Sequence, residues 1–200
     1  MTDMSFFFQA EGGIRGQVRS RGLGDVYKNQ ILANRSDSVE DPRNPEIQHL
    51  ISDMIETMRD APGIGLAAPQ VHIPKRVIIF YVPASRMPDG EKEIGLTALI
   101  NPEIVPLSCE LAIGIEGCLS LPGMAGKVPR YTHIQYSGLL PNGEKLVVEA
   151  EGYHARIVQH ECDHLDGILY PMRMEELSTF GYSEELQKST DQNGADNNDE

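Results

Sequence analysis

His160 and His164 stand four residues apart with Glu161 between them, and this pair constrains the chain more than any other feature. On a helix, residues at that spacing lie side by side with Cβ atoms roughly 5–6 Å apart, so both rings reach one ion at about 2.0–2.1 Å. The surrounding stretch is therefore expected to be a helix over residues 152–167. Counting about 100° per residue from His160 separates its faces. Tyr153, Ile157, His160 and His164 share the front. Val158, Cys162, Leu165 and Leu169 fall together behind it, the pattern of a helix laid on a sheet, so Cys162 reads as core. Glu161 would sit beside a metal held by the two histidines, badly angled to be a third ligand and suited to handling the proton of a water there. Arg156 and Asp163 lie at one margin of the front face, where they either brace each other or a histidine's second nitrogen, or are simply solvated. Because an isolated H-E-x-x-H recurs by chance, the rest of the chain has to decide what this one means.

Two hundred residues suffice for one domain, at most two, with a core that needs no disulfides. Thirty acidic against 17 basic side chains, a net charge of −13, argue against binding to DNA or other nucleic acid and against anionic membranes. Three cysteines, Cys109, Cys118 and Cys162, give no disulfide framework and suit a reducing compartment. No apolar run approaches the roughly 20 residues of a spanning helix, and Phe6-Phe7-Phe8 is too short for a signal peptide. The expectation is a soluble, intracellular protein, most simply a cytoplasmic monomer. The acid-free run from Gly12 to Gly24 admits an organellar transit peptide, against which stand Asp3, Glu11 and the scarcity of serine.

Residues 1–28 show no clear period and read as an N-terminal extension without assigned structure. Ile47, Leu50, Ile51, Met54, Ile55 and Met58 form one apolar helical stripe, and Asn44-Pro45 supplies its cap and first turn, so a helix is expected from Asn44 to Arg59. The run Gly63-Ile64-Gly65-Leu66-Ala67-Ala68-Pro69-Gln70 is small and nearly uncharged. It is either a tight turn under the core or a substrate-facing wall ending in the hydrogen-bonding amide of Gln70. Val77 to Tyr81 should be a strand buried on both faces, ended by a Pro-, Asp- and Gly-rich loop near Gly90. Leu96–Ile100 and Ile104–Leu107 read as two short strands around Asn101-Pro102, and alternation resumes at Leu111, Ile113 and Ile115. Tyr131–Tyr136 and Lys145–Glu149 flank the turn signal Pro141-Asn142-Gly143 and predict a hairpin. From Ser183 to Glu200 the chain carries six acids against one lysine and is expected to be a disordered tail.

A catalytic site on this helix needs a third protein ligand and an open position on the metal. The metzincin pattern would place a third histidine where this chain has Tyr170. Glu175 or Glu176 is a weaker candidate, since only Pro171-Met172-Arg173-Met174 separates them from Tyr170 and no supporting helix is evident. Upstream, Cys118 lies among small residues at an expected strand end. It is either a small buried hydrophobe or a ligand whose soft sulfur binds as thiolate in a Cys-His-His site.

Three blocks now stand in a familiar order: G-I-G-L-A-A-P-Q from Gly63, E-G-C-L-S from Glu116, and Q-H-E-C-D-H-L from Gln159. Over about Asn44 to Met174 the chain resembles peptide deformylase, and the three motifs together are far more specific than H-E-x-x-H alone. The resemblance implies removal of the formyl group from the N-terminal formylmethionine of new polypeptides, near the ribosome exit region. It implies one divalent metal, Fe2+ by the family's habit with Zn2+, Ni2+ or Co2+ acceptable, held by Cys118, His160 and His164. Carried over residue by residue, it makes Glu161 the general base and then acid for a metal-bound hydroxide, with Gln70 and the Leu119 N–H facing the developing charge. Ile64, Gly65 and Gly117 correspond to backbone positions that pair with the peptide. Ile64, Tyr153, Arg156 through its stem, Ile157 and the His160 ring correspond to the methionine pocket. The chain departs from the family before the first helix, where Asn29-Gln30-Ile31-Leu32-Ala33-Asn34 replaces a glycine-x-proline-x-leucine-arginine element, leaving the opening strand in doubt.

The expected architecture is α+β, with antiparallel β-sheets surrounding a central C-terminal motif helix and an N-terminal helix packed outside. Residues 29–175 are expected to be a single catalytic metallohydrolase domain. The competing readings are a metalloprotease or aminopeptidase using the same helix, and a metal-binding domain without catalysis.

Overall fold

A computed structural model of the chain describes residues 30–61, 63–87, 92–186 and 188. The expected N-terminal extension, the loop near Gly90 and most of the acidic tail lie outside the described residues. Of the tail expected to be disordered from Ser183, residues 183–186 and 188 are helical, and Ser183 is buried with its hydroxyl donating to Gly123 O at 3.0 Å. This serine thus ties the start of that segment to the strand Leu121–Tyr131.

The first helix, α1, spans Pro45–Asp60. Asn44 caps it by accepting from the Glu46 N–H at 2.9 Å, and Pro45 fills the first turn, where no N–H is needed. Its stripe of Ile47, Ile51, Met54 and Met58 is buried, as the period requires. The chain continues through β1 (Gly65–Ala67), β2 (Val77–Val82), β3 (Ile94–Pro106), β4 (Leu111–Cys118), β5 (Leu121–Tyr131), β6 (His133–Leu139) and β7 (Lys145–Glu151). The motif helix α2 (Gly152–Leu165) and a short β8 (Gly181–Tyr182) complete the named elements.

All strand pairs are antiparallel and form a five-stranded sheet, β1-β2-β3-β6-β7, and a three-stranded sheet, β4-β5-β8. β2 shows why the first sheet is held from both sides. Val77 and Ile79 join the α1 residues in one cluster, while Ile78, Phe80 and Val82 join Ala155, Val158, Cys162 and Leu165 of α2 in the other. Full burial of a side chain such as Ile78 or Phe80 contributes roughly 1.5–3 kcal/mol, so the sheet's two faces hold both helices in place.

Two strand expectations change. Leu96–Ile100 and Ile104–Leu107 are one strand, β3, with a register shift between Ile100 and Glu103. Asn101 takes a left-handed φ of 51° there, and its side-chain amide bonds Val39 N and Val39 O at 2.9 and 2.8 Å. The dipeptide Asn101-Pro102 therefore makes a bulge and does not end the strand. β5, absent from the sequence reading, pairs with β4 from Tyr131 opposite Leu111 to Ala125 opposite Gly117. Pro122, Gly123, Gly126 and Pro129 hide its alternation.

At the far end of α2, Gly167 is left-handed (φ 73°), and a Cβ there would stand 2.8 Å from the Ala33 backbone. The turn of residues 30–33, with Leu32 buried, thus closes over the end of the motif helix, and Ser36 N–H donates to Leu165 O at 2.8 Å.

Candidate metal centre and active site

β4 ends on Cys118, and α2 presents His160 and His164 one turn apart, so the two sheets meet at the motif helix. Their ligand atoms all lie within 4.8 Å of one another, and Cys118 Sγ is 3.2 Å from His164 Nε2. Atoms bound to one ion at 2.0–2.3 Å stand roughly 3–4 Å apart, so the three side chains fit a shared divalent ion. Among the described residues this is the one cluster of three or more such groups. Glu175 and Glu176 are exposed and lie outside it. Tyr170 is buried instead, its ring stacked on His160 with centroids 6.2 Å apart.

The electrostatics favour the thiolate. Burial alone would raise the Cys118 pKa, but the imidazoles of His164 and His160 outweigh it and hold the thiol well below its ordinary value. Ser120 N–H and Gln70 Nε2–H also approach the sulfur, at 3.4 and 3.5 Å. Cys162, on the opposite face, is buried among apolar residues, and its thiol pKa is pushed far up, which makes it an inert core residue.

Glu116 is the residue that the sequence reading quoted without giving it a role. Its Oε2 lies 2.8 Å from His160 Nδ1, which directs the other ring nitrogen to the metal position. Arg130 forks onto both carboxylate oxygens at 2.9 Å, and Arg156 Nη1 reaches Oε1 at 2.8 Å. Burial would raise the Glu116 pKa, yet the His160 and Arg130 contacts carry it far below the usual carboxylate range. Asp163 is held by Arg130 on one side and by Arg173 at 3.1 and 2.8 Å on the other. Of the alternatives open for Arg156 and Asp163, a brace between the two is thus not formed, and neither is simply solvated. Each takes a different partner, and Glu116 performs the bracing of His160. No local pattern reveals this, because Glu116 and Arg130 meet only through the β4–β5 pairing.

Glu161 is 5% exposed, and burial pushes its carboxyl up to about 7 against the downward pull of the His160 and His164 imidazoles. Its Oε2 has no hydrogen-bond partner among the described residues, as suits a group that exchanges a proton at the centre. Gly65 makes room for it: a Cβ at that position would overlap the Glu161 carboxyl. Gln70 faces the same point from the turn after β1. Its Oε1 accepts from Ala67 N–H at 2.8 Å, and its Nε2 points to Cys118 and Ser120.

These groups line one cleft with Ile64, Gly65, Gly117, Leu119, Tyr153, Arg156 and Ile157, so the structure gathers every expected site residue there except His164, which is buried within 4.8 Å of the Cys118 and His160 ligand atoms. Arg156 contributes to the wall while its guanidinium is engaged by Glu116, Val128 O and Ala112 O. The cleft runs between β1 and β4, each an edge strand of its sheet.

A Cys-His-His centre with a buried carboxyl of raised pKa beside it defines a metal-dependent hydrolase. Comparison with known proteins gives the family. The family model for polypeptide deformylase matches residues 25–180. Peptide deformylase 1 of Bordetella pertussis is 52% identical over 156 residues, 78% of this chain and 88% of the relative. Among solved structures, the class I type b peptide deformylase of Acinetobacter baumannii with Met-Ala-Ser bound matches with a TM-score of 0.67 and 39% identity, over 74% of this chain and 94% of that one. Peptide deformylase of Ehrlichia chaffeensis matches with a TM-score of 0.68 and 33% identity, over 83% and 93%. The chain belongs to the polypeptide deformylase family.

Proposed function

We propose that the protein hydrolyses the formyl group from the N-terminal formylmethionine of nascent polypeptides. Family membership supports the reaction class, and one observation carries the assignment of roles: Glu161, Gln70, Cys118 and His160 line a single cleft, and His164 completes the ligand cluster at its wall. The triad would hold one divalent ion, ferrous iron by family habit, although its mixed soft and imidazole donors also accept zinc, nickel or cobalt. A bound ion supplies Lewis acidity, which lowers the pKa of water toward ~7 and polarises a carbonyl oxygen.

The chain's own residues perform the proton and charge handling. With its pKa near 7, Glu161 takes a proton from the attacking water and returns it to the leaving amine. Gln70 Nε2–H and the Leu119 N–H stabilise the formyl oxygen as it gains charge, and each such donor is typically worth ~10²–10³ in turnover. A peptide laid between the open edges of β1 and β4 would pair with backbone at Ile64, Gly65 and Gly117, which accepts many sequences after methionine. Ile64, Tyr153, Ile157, the His160 ring and the stem of Arg156 form the apolar wall for the methionine side chain. The Met-Ala-Ser bound to the Acinetobacter baumannii enzyme is the peptide that deformylation of formyl-Met-Ala-Ser leaves, which supports this substrate class. We place the enzyme in a bacterial-type cytoplasm, which the bacterial origin of its curated relatives supports, and have it act as a monomer on chains leaving the ribosome.

The test is formate release from formyl-Met-Ala-Ser by protein purified anaerobically with its metal quantified, alongside cleavage of unformylated peptides. The proposal expects formate and no peptide cleavage. A fully metal-loaded protein that releases no formate would sink it, and cleavage of unformylated peptides would favour the aminopeptidase reading.

A further inference from the structure

We propose that Ser120 is a positioning residue for the reaction, locking the Gln70 amide so that one of its N–H bonds faces the centre. This rests on the deformylase reading of the site.

Gln70 is 2% exposed, and its side chain is held at both ends. Ala67 N–H donates to Oε1 at 2.8 Å, which fixes the side on which the amide nitrogen lies. Nε2 has two hydrogens to direct. Ser120 Oγ, on a residue 5% exposed in the turn between β4 and β5, accepts from Nε2 at 3.1 Å. With one N–H engaged there, the other is left toward Cys118 Sγ, 3.5 Å away on the metal-facing side. Ser120 itself does not line the cleft, and the bond from Ser120 to the Cys118 sulfur is made by its backbone N–H. Removing the hydroxyl therefore frees the amide to turn and leaves the thiolate's backbone donor in place.

An oxyanion donor acts mainly in the transition state, so loosening it lowers kcat and leaves KM nearly unchanged. For metal-loaded full-length Ser120→Ala, we expect kcat on formyl-Met-Ala-Ser to fall about tenfold or more, short of the ~10²–10³ that complete loss of a donor costs. Metal content should equal that of the unsubstituted protein. Because Ser120 acts through Gln70, the Ser120→Ala/Gln70→Ala double variant should be no slower than Gln70→Ala. A second readout needs no turnover: in the zinc-loaded protein, the Gln70 side-chain amide proton resonances should be slowly exchanging and should broaden in Ser120→Ala. Additive losses in the double variant, loss of metal from Ser120→Ala, or unchanged amide resonances would each overturn the proposal. If the unsubstituted protein releases no formate, the functional reading fails while the amide resonances still decide whether Ser120 holds Gln70.

Discussion

At the scale of single residues, the site depends on what stands next to Glu161. Its carboxyl is buried, lacks a hydrogen-bond partner at Oε2 among the described residues and is pushed up to about 7 by that burial, so it can exist in either protonation state near neutrality. Glu161→Ala should retain about one metal per chain and lose ~10²–10⁴ in formate release, since a positioned acid–base group typically contributes that much. Metal loss in this variant would mean that the carboxyl is a ligand. Gly65→Ala is the subtler test. The added methyl would overlap Glu161, and the carboxylate must move to admit it. A fall in kcat with unchanged metal content is expected, because displacement of about 1 Å from a productive geometry can cost ~10²-fold. Retained kcat would show that Glu161 tolerates a different position.

At the scale of elements, the centre is braced by a chain of buried charges that joins β4, β5, α2 and the segment after α2. Glu116 belongs to β4 and Arg130 to β5, Arg156, His160 and Asp163 to α2, and Arg173 to the following turn. Glu116 and Arg130 are 3% and 5% exposed, so removal of either leaves a buried charge short of a partner. Glu116→Ala should lower stability by about 3–5 kcal/mol, read from urea unfolding. It should also weaken metal binding about 10–100-fold, because His160 loses the partner at Nδ1. A variant of unchanged stability and affinity would refute the bracing role. The helices were readable from sequence because their apolar periods survive intact, and so was the β6–β7 hairpin with its Pro-Asn-Gly turn. β5 was not, because prolines and glycines replace its alternation, and with β5 hidden the Glu116–Arg130 pairing could not be seen. The candidate metal triad was legible only in part: the two histidines follow from helix spacing, whereas Cys118 is brought to them by the meeting of two sheets.

At the scale of the whole molecule, the packing of α2 on the five-stranded sheet carries a pH dependence. His154 lies in the core between Phe80 and Tyr136, with ring centroids 5.9 and 5.5 Å away and the Tyr136 hydroxyl 3.2 Å from Nε2. Burial lowers its pKa below the ordinary value of 6.5. The unfolded chain therefore binds this proton more readily than the folded one, so the stability associated with neutral His154 is complete above about 6.5 and declines as the pH falls below it. Glu161 acts in the opposite sense, since a raised carboxyl pKa favours the folded state as its proton returns. The His154 contribution is read by difference: melting temperatures of the unsubstituted protein and His154→Gln should converge as the pH is lowered from 7 to 5. A constant gap would assign the imidazole no titrating role. The central claim is that a cysteine from one sheet and two histidines from the motif helix make a single metal site, and titration of Cys118→Ala with a divalent metal tests it most directly. Cys118→Ala should lack the stoichiometric, high-affinity binding expected of the unsubstituted protein; one tightly bound ion in the variant would contradict the single-site claim.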